Sequence, residues 1–252
     1  MGKRAFWPAS TEMKIIRIKK DLYADSPRLW DNLGTMVCGH KRYSLGDEQA
    51  QNTELYTSWD EWLYHEVAKP NGGWDNIVAL PLYLYDHSGL SISTEPFACP
   101  WDSGQVGWIY VTKSRIREEY GVKRVSNKLL EEAKDTLREE VKTYNDYLHG
   151  HVYAVLVHTI RNGEFESTDF SWGFYGYDTA KNGLQEYLKN IVPDKTLIPK
   201  IVYGNEIIVV GGGTAQLFND PRDFQEFVES HPALSCIAET HKRFQSIVSQ
   251  PA

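Results

Sequence analysis

The stretch 78–113, VALPLYLYDHSGLSISTEPFACPWDSGQVGWIYVTK, decides the fold of this chain. It begins with a near-continuous apolar run, turns at His87–Gly89, alternates over 90–93 and ends in a second apolar run. Strand-length runs separated by a glycine turn predict a hairpin over 77–93 and a further strand over 107–112. Pro81 inside the first run indicates a sheet edge or a bulge, because proline cannot donate a ladder hydrogen bond.

Helical periodicity is found on both sides of this stretch. Apolar residues at three- and four-residue steps predict a helix over 53–69 and a longer one over 126–149. Ser126 is placed to cap the longer helix and Gly150 to end it. The charged side chains of that helix, Glu140 among them, are assigned to its solvated face. Further helices are predicted over 178–191, from Asp220–Pro221 onward and over 233–248.

Other short runs predict strands and turns. Met13–Lys19 alternates weakly and carries lysines, which favours an edge strand. Asn162–Gly163 and Gly204–Asn205 are hairpin signals. Hairpins and helices without strict strand–helix alternation indicate the α+β class, with a mostly antiparallel sheet and helices packed on one face. We predict a main domain over 1–192, and over 198–252 a strand hairpin with two helices, either a small α/β appendage or part of the same domain.

Composition restricts the class of protein. Hydrophobic residues make up 41% of the 252 residues, enough for a packed core. The 34 acidic and 27 basic residues give a net charge of −7 without a basic stripe, which argues against a direct binder of nucleic-acid duplexes. No apolar run reaches the roughly 20 residues of a membrane span. Three widely spaced cysteines form no disulfide framework and fit a reducing cytoplasm. The sequence leaves the oligomeric state open.

Four blocks combine glycine, aromatic and polar residues. They are WDNLGTMVCGHKRYSLGD over 30–47, LPLYLYDHSG over 80–89, CPWDSGQVG over 99–107 and SWGFYG over 171–176. In this order the blocks resemble a group of proteins encoded by bacteriophages and mobile elements, over residues 25–180. The resemblance implies a genetic setting and neither a fold nor an activity. Accessory genes in that setting often act against host defence, so it implies a host protein as partner and the cytoplasm of a bacterial host as location.

A metal site is one interpretation of the polar blocks. Cys38 and His40 are two residues apart, which on a strand would put both side chains on one face. With His87 they make a set of zinc ligands that Cys99, Asp86 or Asp102 could complete. The competing interpretation is a buried cysteine beside a structural histidine. No cofactor is required on that second interpretation, and zinc is the one expected on the first.

Acid–base or nucleophilic chemistry is a second interpretation. Cys99 could supply a thiolate, His40 or His87 a base, and Asp31 or Asp102 an orienting carboxylate. The competing interpretation is that short polar residues cap the turns between strands. The residues expected to form or support a binding surface are Asp31, Asn32, Asp86, Ser88, Trp101, Ser103 and Gln105.

Two functions are consistent with these features. The first is a protein that binds and inhibits a host protein, such as a defence component of the kind countered by anti-CRISPR or anti-restriction proteins. The alternative is a small hydrolase, metal-dependent or not, with a site built from the loops 31–40, 86–88 and 99–105. The glycine run 210–214 lacks a full phosphate-binding pattern, so we interpret it as a turn.

Overall fold

The computed structural model of the protein describes residues 12–162, 164–211 and 214–230. Its strands are β1 (Met13–Lys20), β2 (Thr35–Cys38), β3 (Glu48–Gln49), β4 (Ile77–Asp86), β5 (Leu90–Ser93), β6 (Ser103–Thr112), β7 (Val152–Arg161), β8 (Glu164–Tyr175), β9 (Ile207–Gly211) and β10 (Thr214–Phe218). Its helices are α1 (Trp59–Trp62), α2 (Lys113–Glu119), α3 (Asn127–Leu148), α4 (Leu184–Lys189) and α5 (Pro221–Glu229). Residues Leu63–Ala68 continue α1 as a π-helical segment.

The chain divides into two compact units. The central unit is Asp25–His149, and the terminal unit joins the residues up to Ala24 with those from Gly150 onward. Each unit contains one five-stranded sheet, and every strand pair is antiparallel except β2 with β3. The predicted α+β class is confirmed, with two sheets. In the described part of the chain no helix is long and apolar enough to cross a bilayer.

The sheet of the central unit has the strand order β3-β2-β6-β4-β5. One face packs against α3, where Leu137 and Val141 join Leu82 and Ile109 in the largest apolar cluster. The opposite face packs against α1 and its π-helical extension. Helices therefore cover both faces of this sheet, unlike the predicted single face. The reason is that β4 and β6 are apolar at successive positions, so both of their faces are buried.

Local signals in the central unit explain most of its elements. Ser126 caps α3 as predicted, because its hydroxyl accepts a hydrogen bond from the backbone N–H of Leu129 at 3.2 Å. The hairpin of β4 and β5 is confirmed. Pro81 is tolerated because β5 pairs only with the part of β4 from Tyr83 onward, and the register shifts just after Leu82. The predicted helix over 53–69 is shorter and begins after the cap at Ser58.

The sheet of the terminal unit has the strand order β10-β9-β1-β7-β8. β1 is confirmed as a strand, but it lies in the centre of the sheet and the predicted edge position is wrong. Its lysines are tolerated because β9 pairs only with Met13–Arg17, which leaves Lys19 and Lys20 at the exposed end of the strand. Apolar clusters lie on both sides of this sheet, one beneath α4 and one beneath α5.

The C-terminal segment lies in the same sheet as the N-terminal strand. β9 is paired to β1, so residues 198–230 belong with the N-terminal strand and do not form a separate hairpin unit. Gly204–Asn205 does not join two paired strands, because the carboxylate of Glu206 accepts backbone N–H groups of Tyr203, Gly204 and Asn205 and bends the chain around itself. The hairpin forms instead between β9 and β10, across the glycine run.

The remaining helix predictions have mixed outcomes. The helix at Asp220–Pro221 is confirmed as α5, with the carboxylate of Asp220 accepting the N–H of Arg222 at 2.8 Å. The helix predicted over 178–191 is reduced to α4, because Asp178 instead forms a bridge with Ile201. The helix predicted over 233–248 lies outside the described residues.

Candidate functional site

The polar blocks of the central unit meet where β4 ends and where β5 and β6 begin. Asp86 is the last residue of β4, and its backbone N–H donates to the carbonyl of Asp102 at 2.9 Å. Ser103 donates its hydroxyl to the carbonyl of Cys99 and closes the loop between β5 and β6. The ring of Phe97 in this loop lies 5.5 Å from the ring of Tyr85. These contacts join the loop to β4 and close its last turn before β6.

Three predicted reactive groups come together in this loop. The carboxylate of Asp102 accepts a hydrogen bond from the thiol of Cys99 at 3.7 Å and lies 3.5 Å from Nδ1 of His87. The carboxylate thus stands between the thiol and the imidazole. In a nucleophilic triad the imidazole takes the middle position, because it must remove the proton from the nucleophile. In the observed order the group next to the Cys99 thiol is the Asp102 carboxylate, so no imidazole among the described residues is placed to remove the thiol proton.

Asp86 pairs with a cation that sequence reasoning did not select. Arg42 forms an ion pair with its carboxylate, and the hydroxyl of Tyr43 approaches it at 3.4 Å. The Arg42 guanidinium lies 5.2 Å from the centre of the Tyr43 ring. Cation–π and ion-pair contacts together hold this exposed arginine in one place. Arg42 and Tyr43 were visible in the first block, but nothing in the spacing linked them to Asp86.

His40 takes part in this second group and not in the first. Its ring stacks on the ring of Tyr43 at 4.9 Å, and its Nδ1 accepts the backbone N–H of Arg42 at 3.3 Å. An accepting Nδ1 places the proton of the neutral ring on Nε2. His40 is therefore a stacking partner in the loop that supports Arg42.

The predicted zinc ligands are not assembled. Cys38 is fully buried in the core beneath α3, and burial, reinforced by the charge of Asp47, raises the pKa of its thiol to about 12. β2 ends at Cys38, so the strand geometry that would align His40 with it is missing. No group of three or more histidine, cysteine or acidic side chains in the described ranges is placed to hold a metal ion.

The other predicted binding residues, apart from Trp101, have local structural roles. Asp31 pairs with Arg115 at 2.9 Å, and the amide of Asn32 donates to the carbonyl of Pro27 at 2.9 Å. Ser88 occupies the β4–β5 turn with φ +57°. The backbone carbonyl of Gln105 accepts the indole N–H of Trp59 at 3.0 Å. These contacts match the interpretation of short polar residues as turn and loop supports.

Trp101 is the exception among these residues, because its side chain makes no packing contact that hides it. It is 92% exposed and lies two residues before β6. Trp101 is followed in the chain by Asp102, which pairs with His87 and accepts the backbone N–H of Asp86. Asp86 in turn pairs with Arg42. We refer to Trp101 and these four residues as the Trp101 surface.

A buried ion network lies beside this surface and was not predicted as one. Arg28 binds Asp47 and, through Nη1 at 2.9 Å, Glu140 of α3. The second oxygen of Glu140 accepts the backbone N–H of Leu33 at 2.8 Å. Burial alone lowers the pKa of Arg28, but the two carboxylates outweigh it and leave that pKa raised. The assignment of Glu140 to the solvated face is wrong, since only 11% of its side chain is exposed.

A cleft of about 610 Å³ opens above this network. Arg42, Tyr43, Leu90, Tyr144 and Tyr147 are among the residues that line it. The hydroxyl of Tyr144 accepts the N–H of Gly46 at 3.2 Å, and burial raises its pKa, so it remains a hydrogen-bond donor. The volume is that of ordinary small-ligand sites. Arg42 belongs to both the cleft and the Trp101 surface, which makes the two continuous.

Comparison with known proteins adds no relative. No family model, curated protein or solved structure matches the chain.

Proposed function

We propose that this chain is an accessory protein of a phage or mobile element that binds a host protein through the Trp101 surface. The observation that supports the proposal is the 92% exposure of Trp101 on a loop whose backbone is hydrogen-bonded to β4 and within its last turn. Burying a large apolar side chain is favourable by a free energy of about 1.5–3 kcal/mol, which an exposed tryptophan does not gain. A partner that covers it recovers that free energy.

The contacts within the loop strengthen this argument. Ordering a mobile loop on binding costs about 0.5–1.5 kcal/mol for each immobilised side chain. The contacts of Ser103 with Cys99 and of Phe97 with Tyr85 hold this loop in place before binding. The residues linked to Trp101 through Asp102 are polar and form the pairs Arg42–Asp86 and His87–Asp102. An aromatic anchor within a polar rim is the usual composition of a protein–protein hot spot.

The host as the source of the partner is supported by the resemblance to phage and mobile-element proteins. Inhibition of a defence component is the activity that this genetic setting favours. The net charge of −7 adds that the partner surface is expected to be neutral or basic.

The hydrolase alternative has one observation in its favour, the closeness of Cys99, Asp102 and His87. Two observations weigh against it. The carboxylate occupies the position that an imidazole would need, and the predicted metal ligands do not converge within the described residues. A hydrolase would require His87 to reach Cys99 in place of Asp102.

Photo-crosslinking in a bacterial host tests the binding proposal. A photoreactive phenylalanine replaces Trp101 in one variant and Trp74 in a matched control, because Trp74 is also exposed, at 49%, and lies outside the Trp101 surface. We expect a host protein to be crosslinked at position 101 and absent at position 74. Equal crosslinking at both positions, or none at position 101, would contradict the proposal.

A further inference from the structure

The terminal unit carries a second surface, on strand β8. β8 is the last strand of its sheet and is hydrogen-bonded to β7 alone among the described strands. The outer edge of such a strand presents unpaired backbone N–H and C=O groups, which can pair with another strand. At 12 residues β8 is the longest strand described.

The register of β8 sorts its side chains by chemistry. Phe165 is opposite Ile160 and Phe170 is opposite Leu156, so both aromatics lie on the sheet face that contains the core beneath α5. Glu164 is opposite Arg161 and Asp169 is opposite Val157, on the other face. The strand edge is therefore aromatic on one face and acidic on the other.

The aromatic side chains of this edge are exposed. Phe165 is 43%, Phe170 56% and Trp172 71% accessible. Natural sheets usually protect an open edge with lysine, proline or a bulge. β8 contains no lysine or proline, and the register shifts on β8 leave the regular stretch Ser167–Ser171 between them. An exposed aromatic edge with a regular central stretch is the kind of surface on which an extended segment can dock.

The charged side chains of β8 indicate which kind of partner segment would fit its edge. Neither Glu164 nor Asp169 forms an ion pair with a cation of the described chain, whereas Glu166 pairs with Arg161 at 3.3 Å. A second copy of β8 would bring more carboxylates to this edge and no cation. A basic strand would neutralise the carboxylates on one face and cover the aromatics on the other.

We propose that β8 accepts an additional strand from a partner whose extended segment alternates apolar residues with lysine or arginine. The apolar side chains pack on Phe165, Phe170 and Trp172, and the basic side chains reach Glu164 and Asp169. Backbone hydrogen bonds to the β8 edge contribute affinity that does not depend on the partner's sequence. The alternation of apolar and basic side chains in the partner segment gives the selectivity. This site is independent of the Trp101 surface.

The probe is a capped peptide of about ten residues that alternates valine and lysine, the length of an ordinary strand. Its control alternates valine and glutamate. We expect the basic peptide to bind the full chain at least about tenfold more tightly, and to protect amides of residues 165–172 from hydrogen exchange. Equal affinity of the two peptides, or protection elsewhere, overturns the proposal.

Two N-methylated versions of the basic peptide test strand addition directly, on the unaltered protein. One is methylated at alternate backbone nitrogens and the other at the remaining ones, so that only one version loses the N–H groups directed at β8. We expect one version to bind like the parent peptide and the other at least about tenfold more weakly. Equal binding of both would show side-chain contact without strand pairing and contradict the proposal.

Substitutions then locate the site. Asp169→Lys and the pair Phe170→Ser with Trp172→Ser are each expected to weaken the basic peptide at least about fivefold. Tyr23→Ser is the matched control, since Tyr23 is 87% exposed in the same unit and lies outside β8. Unchanged affinity in the β8 variants, or self-association of the free protein that protects β8, would overturn the proposal.

Discussion

Arg28 donates two parallel hydrogen bonds to the carboxylate of Asp47, from Nε to Oδ1 at 2.8 Å and from Nη2 to Oδ2 at 2.6 Å. The same Asp47 carboxylate accepts the backbone N–H of Met36 at 2.7 Å. The Arg28–Asp47 pair therefore connects the loop between β2 and β3 to the first residues of the central unit. Glu140, which also binds Arg28, connects this pair to α3. The loop that holds Arg42 in the Trp101 surface depends on this network.

Arg28→Met is expected to destabilise the central unit by about 3–5 kcal/mol, because two carboxylates lose their shared buried cation. Arg138→Met is the matched control, since it removes an exposed pair with Asp135 and should change stability by less than about 1 kcal/mol. Urea unfolding followed by tryptophan fluorescence compares the two. Equal stability losses would show that the buried network has no special role.

Gly107→Ala is expected to cost about 3 kcal/mol or more, or to prevent folding. A Cβ atom there would meet the carbonyl oxygen of Val37 at 1.9 Å, and neither backbone can yield without breaking the β2–β6 pairing. Gly104→Ala on the same strand meets nothing within 4 Å and should fold normally. Thermal unfolding of the two variants checks the difference, and similar midpoints would refute the close approach of β2 and β6.

Much of the local structure was predictable, and long-range pairing was not. The stripe that includes Leu137 and Val141 predicted α3 with its cap, because helix periodicity and capping are encoded within a few residues. The position of β1 at the centre of its sheet depends on β9, almost two hundred residues later. Glu140 looked like any other charge on a solvated face, because its partner Arg28 is distant in sequence.

The candidate site shows the same limit. The sequence pattern predicted that Cys99, Asp102 and His87 lie in polar loops that form one site. The structure places Asp102 in contact with the other two. Their order could not be predicted, since it depends on which side chain points between the other two. The other residues of the predicted metal set are not brought together, because Cys38 is buried in the core and β2 ends before His40.

Thiol reactivity separates Cys38 from Cys99. In a Cys236→Ser background, Cys99 should react with an aromatic disulfide reagent in the folded protein, because its thiol is partly accessible. Cys38 should react only after unfolding, because its thiol is fully buried and its pKa is raised to about 12. Two fast-reacting thiols in the native protein would contradict the position of Cys38.

Alkaline pH is expected to weaken the fold through Cys38. Its folded pKa is raised to about 12, whereas an unfolded thiol ionises near about 8.5. The contribution of this group to stability is complete below the unfolded pKa and is lost as the pH rises toward the folded one. The slope is about 1.4 kcal/mol per pH unit within that window.

The variant Cys38→Ala should lose this part of the slope, although it is less stable at neutral pH because of the cavity it creates. Val111→Ala, which also shortens a buried side chain but removes no titratable group, should keep the slope of the unaltered chain. Urea unfolding at several alkaline pH values measures the slopes. If all three proteins showed the same slope, Cys38 would not be the titrating group.

The most direct test of the binding account is the affinity of the host protein captured at position 101, measured by calorimetry against three versions of the chain. We predict that Trp101→Ser weakens binding at least about tenfold, or 1.4 kcal/mol. Trp74→Ser, the matched exposed tryptophan, should bind within about twofold of the unaltered protein. Binding that survives Trp101→Ser unchanged would contradict the account, because the exposed indole would then have no part in recognition.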